Sequence, residues 1–157
     1  MKPRSRERFK GRRDNGTFFL IPTVVLDSPA FRGLSFKARA LLLDLGSQFR
    51  GYNNGDLAMP WSLMKQRGWV SKQTLQNARD ELLAKGLIEQ TRQGGLHAAG
   101  LYAITWQAIE ECHGKLDVPS TRVPSNKWRH YVPAVNAKST PTIGAQAGTE
   151  DGSPRKE

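Results

Sequence analysis

The chain has 157 residues, 38% of them hydrophobic and 24% charged, which suits one domain with an ordinary core plus polar extensions. A formal net charge of +10 favours a polyanionic partner: DNA, RNA or an anionic membrane. No stretch approaches the ~18 apolar residues of a membrane-spanning helix. The single cysteine, Cys112, excludes an internal disulfide framework and fits a reducing cytoplasm.

The charge is uneven. Residues 1–13 hold seven basic side chains (Lys2, Arg4, Arg6, Arg8, Lys10, Arg12 and Arg13) against one acid, Glu7. That is +6, which leaves +4 for the other 144 residues. Residues 1–16 therefore read as a disordered basic arm. Arg4, Arg6, Arg8, Lys10, Arg12 and Arg13 are its candidate non-specific phosphate contacts. The apolar run Phe18 to Leu26 follows, but Pro22 and Thr23 interrupt it, so it makes a poor secretion signal.

Regular apolar periodicity spans residues 17–106. Ser28-Pro29 has the cap-plus-proline form of a short helical turn. Ser35 caps a helix predicted from Phe36 to Phe49, with Ala38, Leu41, Leu42, Leu45 and Phe49 on one stripe. The cluster Gly51-Tyr52-Asn53-Asn54-Gly55 predicts a sharp turn, since Asn and Gly tolerate positive φ. Asp56 to Met59 suggests a short strand, and Pro60 opens a short helix over Trp61 to Arg67 that Gly68 ends. Ser71 caps the next helix, Lys72 to Lys85, which buries Leu75, Ala78, Leu82 and Leu83 and stops at Gly86. Val70 and Leu75 have the spacing of a hydrophobic staple across that cap. Leu87 to Thr91 and Leu101 to Trp106 read as two strands joined through a loop with three glycines, and Tyr102, Ile104 and Trp106 alternate against Leu101, Ala103 and Thr105. The pattern weakens over 107–133, an extension expected to pack on the domain. Residues 134–157, rich in Ala, Thr, Ser, Gly and Pro, read as a disordered tail.

The order of long helix, short strand, short helix, tight turn, capped helix and hairpin describes an α+β winged helix-turn-helix: a three-helix core with a β-hairpin wing. The Lys72 helix turns Ser71, Lys72, Gln73, Gln76, Asn77 and Arg79 outward. Gln and Asn bond an adenine edge bidentately, while Lys and Arg reach guanine or phosphate. Asp80 can accept from cytosine or orient Arg79. At the wing, Arg92, Gln93 and His97 are placed for phosphate or minor-groove contact. The expected function is sequence-specific, non-catalytic binding of double-stranded DNA by a cytoplasmic regulator of transcription. A DNA-binding factor in phage or plasmid replication is the alternative.

The runs SPAFRGLSFKARALLLDLGSQFRGYNNGDLAM, SKQTLQNARDELLAKGLIEQTRQGG, LYAITWQAIEECHGKLD and SNKWRHY together resemble a family of small winged helix-turn-helix proteins. That family occurs in proteobacterial genomes, prophages and plasmids, and the similarity spans residues 18 to 131. It implies the same fold and DNA binding, and leaves the biological process open.

Other classes fit less well. Cys112 and His113 are adjacent, so they cannot easily share a tetrahedral metal, and no phosphate-binding glycine loop or His-Glu-x-x-His run is present. No catalytic residue, metal, cofactor or small-molecule ligand is expected. A winged helix that docks protein instead of DNA is disfavoured by the polar helix face. RNA binding would use Trp61, Trp69, Trp106 or Trp128, but the first three fall at packing positions. Trp128, in a basic aromatic run, reads as an anchor folded back on the domain. Such domains commonly bind as dimers, yet no long dimerisation helix is visible, which leaves a homodimer open.

Overall fold

The computed structural model describes residues 16–134; the expected basic arm up to residue 15 and the tail from residue 135 lie outside the described residues. In chain order come α1 (Thr23–Leu26), α2 (Pro29–Arg32), α3 (Phe36–Gly46), β1 (Leu57–Ala58), α4 (Trp61–Gln66), α5 (Lys72–Ala84), β2 (Ile88–Arg92) and β3 (Leu101–Ile104). Two short 3-10 turns, Cys112–Gly114 and Lys127–His130, follow. The described residues thus form an α+β arrangement of five helices and a three-stranded antiparallel sheet ordered β1-β3-β2. That arrangement is compatible with a winged helix.

Local chemistry starts three of these helices. The hydroxyls of Ser28, Ser35 and Ser71 accept from the N–H groups of Phe31, Ala38 and Thr74, each at 3.2 Å. A cap of this kind stabilises a helix by about 1 kcal/mol. Glycine ends two helices, α4 and α5, by equally local chemistry. Gly68 (φ 91°) follows α4, and the N–H of Trp69 reaches back to the Met64 carbonyl at 3.1 Å. Gly86 (φ 70°) follows α5, and the N–H of Leu87 reaches back to the Leu82 carbonyl at 3.0 Å. Both are Schellman endings, with the buried pairs Trp69/Met64 and Leu87/Leu82 supplying the usual apolar contact.

The first of these endings overturns the expected staple. Trp69 turns into the core, and its indole N–H donates to Asp44 Oδ2 at 2.8 Å. Its neighbour Val70 must then point outward, and it is 91% exposed. Val70 therefore cannot close on Leu75. The loop between α4 and α5 is held by Asp44, which also bonds Arg67 at 3.3 Å.

α3 is shorter than its apolar stripe suggests and stops at Gly46, three residues before Phe49. Beyond it the chain tightens: Gln48 and Phe49 donate to the carbonyls of Leu45 and Gly46, at 3.0 Å each. The side-chain amide of Gln48 then pairs with both backbone groups of Ala58, at 2.8 and 3.0 Å, and so acts as a partner for β1. Phe49 still packs, edge-on to Phe19 at 6.3 Å.

The core lies between α3, α5 and one face of the sheet. Leu41, Leu42 and Leu45 of α3 meet Leu75, Ala78 and Leu82 of α5 there, with Met64 and Ile104 beside them. β3 differs from the simple alternation, because Leu101 to Trp106 are all buried. Tyr102, Ile104 and Trp106 join the helical core. Leu101, Ala103 and Thr105 face the other way by strand alternation and are covered as well. The chain beyond residue 106 returns along the sheet to do this. Asp117 and Asn126 donate backbone N–H bonds to the carbonyls of Thr91 and Thr105, at 2.8 Å each. Ile109 and Cys112 bury their side chains, and Trp128 joins the helical core.

Candidate nucleic-acid interface

α5 carries two parallel polar rows, because residues four and three apart share a helix face. Lys72, Gln76 and Arg79 form one row, on the side of β1 and α4. Gln73, Asn77 and Asp80 form the other. All are exposed except Arg79, which is half-buried. Within the outer row the Gln73 amide donates to Asn77 Oδ1 at 2.8 Å, so the two amides are held as a pair. Arg79 donates to Asp80 Oδ1 through Nε at 2.8 Å, and its NH2 lies 2.7 Å from the same oxygen. Burial pulls the Arg79 guanidinium's pKa down, but Asp80 and Tyr102 outweigh it, and the net shift is upward. The charge is therefore fixed in place, and Asp80 acts as the orienting partner. Ser71 accepts the capping N–H of Thr74, which leaves its O–H to donate elsewhere.

A cleft of about 200 Å³ opens beside the inner row, lined by Met59, Trp61, Lys72, Leu75, Gln76 and Arg79. Periodicity places Trp61 on the side of α4 that carries the buried Met64, which argues for packing. The structure leaves the indole half-buried, with Lys72 Nζ 5.9 Å from its ring centroid. Met59 is a lining residue that no sequence motif marks, and Trp61, a base-stacking candidate by type, is the one whose position in the sequence points to packing instead. Trp69, Trp106 and Trp128 are buried and packed.

The hairpin is more self-contained than its composition suggests. Its register slips between Gln90 and Arg92, a bulge at which Thr91 turns inward and donates to the Gly55 carbonyl at 2.6 Å. Gly95 and Ala98 pair across a tip made of Leu96 and His97. Arg92, expected to reach phosphate, donates through its guanidinium to the Ala99 carbonyl at 2.8 Å and is half-buried. The backbone of Gln93 donates to Asp117 at 2.8 Å, and its side chain accepts from Gln90 at 3.2 Å. His97 is exposed at the tip, beside Leu96, which is 93% exposed. The structure thus gathers the α5 candidates on one helix surface and carries Arg92, Gln93 and His97 on the hairpin. Arg4, Arg6, Arg8, Lys10, Arg12 and Arg13 lie outside the described residues.

Cys112 and His113 both take left-handed backbone angles and diverge. The thiol is buried 3.8 Å from the Asn54 carbonyl, and burial pushes its pKa up, whereas His113 is exposed. No family model, curated protein or solved structure matches the chain.

Proposed function

We propose that the chain binds double-stranded DNA without catalysis, as a winged helix-turn-helix in which α5 reads the major groove and the β2–β3 hairpin is the wing. The observation that carries this reading is the outer surface of α5. Lys72, Gln73, Gln76, Asn77 and Arg79 project from it with no large apolar side chain between them, while Leu75, Ala78 and Leu82 hold the other side in the core. A helix that docks a protein groove needs apolar anchors. A row of amides and cations supplies instead the bidentate donors and acceptors that separate base pairs in the major groove.

The wing offers phosphate fewer free donors in this arrangement, because the half-buried Arg92 spends one on the Ala99 carbonyl within the hairpin. Phosphate contact falls to Lys72, to the Ser71 hydroxyl and to the basic arm. The reading assigns the chain to transcriptional regulation in the cytoplasm, acting as a monomer or homodimer, beside the small proteins of proteobacterial genomes, prophages and plasmids that it resembles.

The test starts with selection of bound sequences from a random DNA pool. The double variant Gln76→Ala/Asn77→Ala is then compared with the parent on the selected site and on random duplex. Each lost base contact should cost about 1–3 kcal/mol of discrimination, so preference for the selected site should collapse while random-duplex affinity changes much less. Equal losses on both DNAs would show that α5 is not the reader.

A further inference from the structure

The cleft beside α5 has three kinds of wall. Met59, Leu75 and the indole of Trp61 form an apolar floor. Gln76 contributes an amide with both a donor and an acceptor, the pair of functions that matches a nucleobase edge. Lys72 and Arg79 stand at the two ends of the row, seven residues and therefore about 10 Å apart along the helix axis. Arg79 is paired with Asp80, while Lys72 has no carboxylate partner among the described residues and rests over the Trp61 ring. The Lys72 side chain is flexible, so a stacking partner can displace it from the ring. The volume, about 200 Å³, falls below the ~300–1,000 Å³ of sites for drug-sized ligands. It suits one ring system rather than a whole dinucleotide.

We propose that this cleft holds a single nucleotide unit, its base stacked on Trp61, its edge on Gln76 and its phosphate on Lys72 or Arg79. The proposal deepens the DNA-binding reading and rests on it for one of its two sources. The unit is either a free nucleoside monophosphate or a base turned out of a DNA strand lying along α5. A base inside an intact duplex is covered on both faces by its neighbours and cannot stack on Trp61. The second source therefore demands that the chain prefer DNA with an unpaired base.

The experiment uses the full chain in two arms. In the first, deoxyadenosine monophosphate is titrated while tryptophan fluorescence is followed, with ribose 5-phosphate as the control that lacks a base. Trp61 is the half-exposed indole among three buried ones, so base stacking quenches it selectively. In the second, a duplex with a one-base bulge is compared with the same duplex fully paired.

Saturable quenching by the monophosphate alone identifies a free nucleotide as the ligand. A bulge preference alone identifies an extruded DNA base. In either case Trp61→Ala, read by titration calorimetry because the variant lacks the reporting indole, should weaken the responding probe about 5- to 150-fold, the range for loss of one stacked base. Trp61→Phe should restore most of that loss. If Trp61→Ala melts early by circular dichroism, Met59→Gln on the same apolar floor replaces it. A chain that binds paired duplex but shows neither quenching nor bulge preference overturns the proposal and leaves the DNA reading intact. Quenching without any duplex binding keeps the cleft and overturns the DNA reading.

Discussion

Asn54 is 1% exposed, yet its amide is fully bonded. Nδ2 donates toward the carbonyls of Ile104, Gln107 and Ala108 at 2.9 to 3.1 Å, and Oδ1 accepts from the Ile104 N–H at 2.7 Å. The cluster Gly51 to Gly55 reads as a turn because Asn and Gly tolerate positive φ, but only Gly51 and Gly55 adopt it. Asn53 and Asn54 act through their side chains, and the partners of Asn54 lie 50 or more residues away in sequence. No local pattern encodes that. Glu81 is a second side chain whose role comes from distance. It accepts from the N–H and hydroxyl of Ser35, at 2.8 and 2.6 Å, and from Lys85 at 2.8 Å, which joins the end of α5 to the start of α3. Burial alone would raise its pKa; the bonds from Lys85 and Ser35 outweigh that and lower it. A lowered folded-state pKa means the stabilisation is fully present above the ordinary value of 4.5 and fades as pH falls through the depressed one. Replacing Glu81 by Gln should therefore cost about 1 kcal/mol at pH 7, and the gap should shrink at a pH below 4.5. Urea titrations of both proteins at the two pH values check this, and a gap that ignores pH would assign the effect to shape instead of charge.

Among the elements, helix boundaries were the most legible. Serine caps and glycine stops act on their own turn of chain, so the starts of α2, α3 and α5 and the ends of α4 and α5 follow from the residues there. The Val70 staple failed because a neighbouring element, the Schellman turn after α4, decides which of Trp69 and Val70 faces inward. The end of α3 failed because Gln48 is drawn to Ala58, ten residues on. The sheet was legible only in part, since β1 pairs with β3 and nothing local to Leu57 says so. The two helix-ending glycines give a paired prediction. An alanine at Gly68 meets open space and has only the left-handed backbone against it, about 1–2 kcal/mol. An alanine at Gly86 takes the same strain, and its Cβ would lie 2.7–2.9 Å from the backbone of Lys127 and Trp128. Gly86→Ala should therefore destabilise more than Gly68→Ala, by chemical denaturation. Equal losses would mean that the Lys127–Trp128 segment gives way freely.

At the scale of the molecule the polar face of α5 was legible, because helical periodicity sorts core from surface without knowledge of the fold. The cleft and the retraction of Arg92 were not, because both depend on paths taken by other segments. Net charge also belongs to this scale, since residues 1–13 hold +6 of the total +10. Deleting them should flatten the fall of DNA affinity with salt, each lost phosphate contact removing about 0.9 from the log–log slope. An unchanged slope in a binding titration across salt concentrations would show that the segment touches no phosphate. The return of the chain over the sheet has a further consequence during synthesis. A domain folds as a unit, and the ribosome releases its chain N-terminal end first. Trp128 leaves the ribosome 42 residues after Gly86, against which its backbone packs. Leu101 and Ala103 lack cover on their side of the sheet until the residues beyond 106, which bond back to Thr91 and Thr105, have also emerged. A nascent chain halted near residue 106 would present that apolar strip to chaperones and proteases, so premature termination there yields material for degradation, not a smaller working protein.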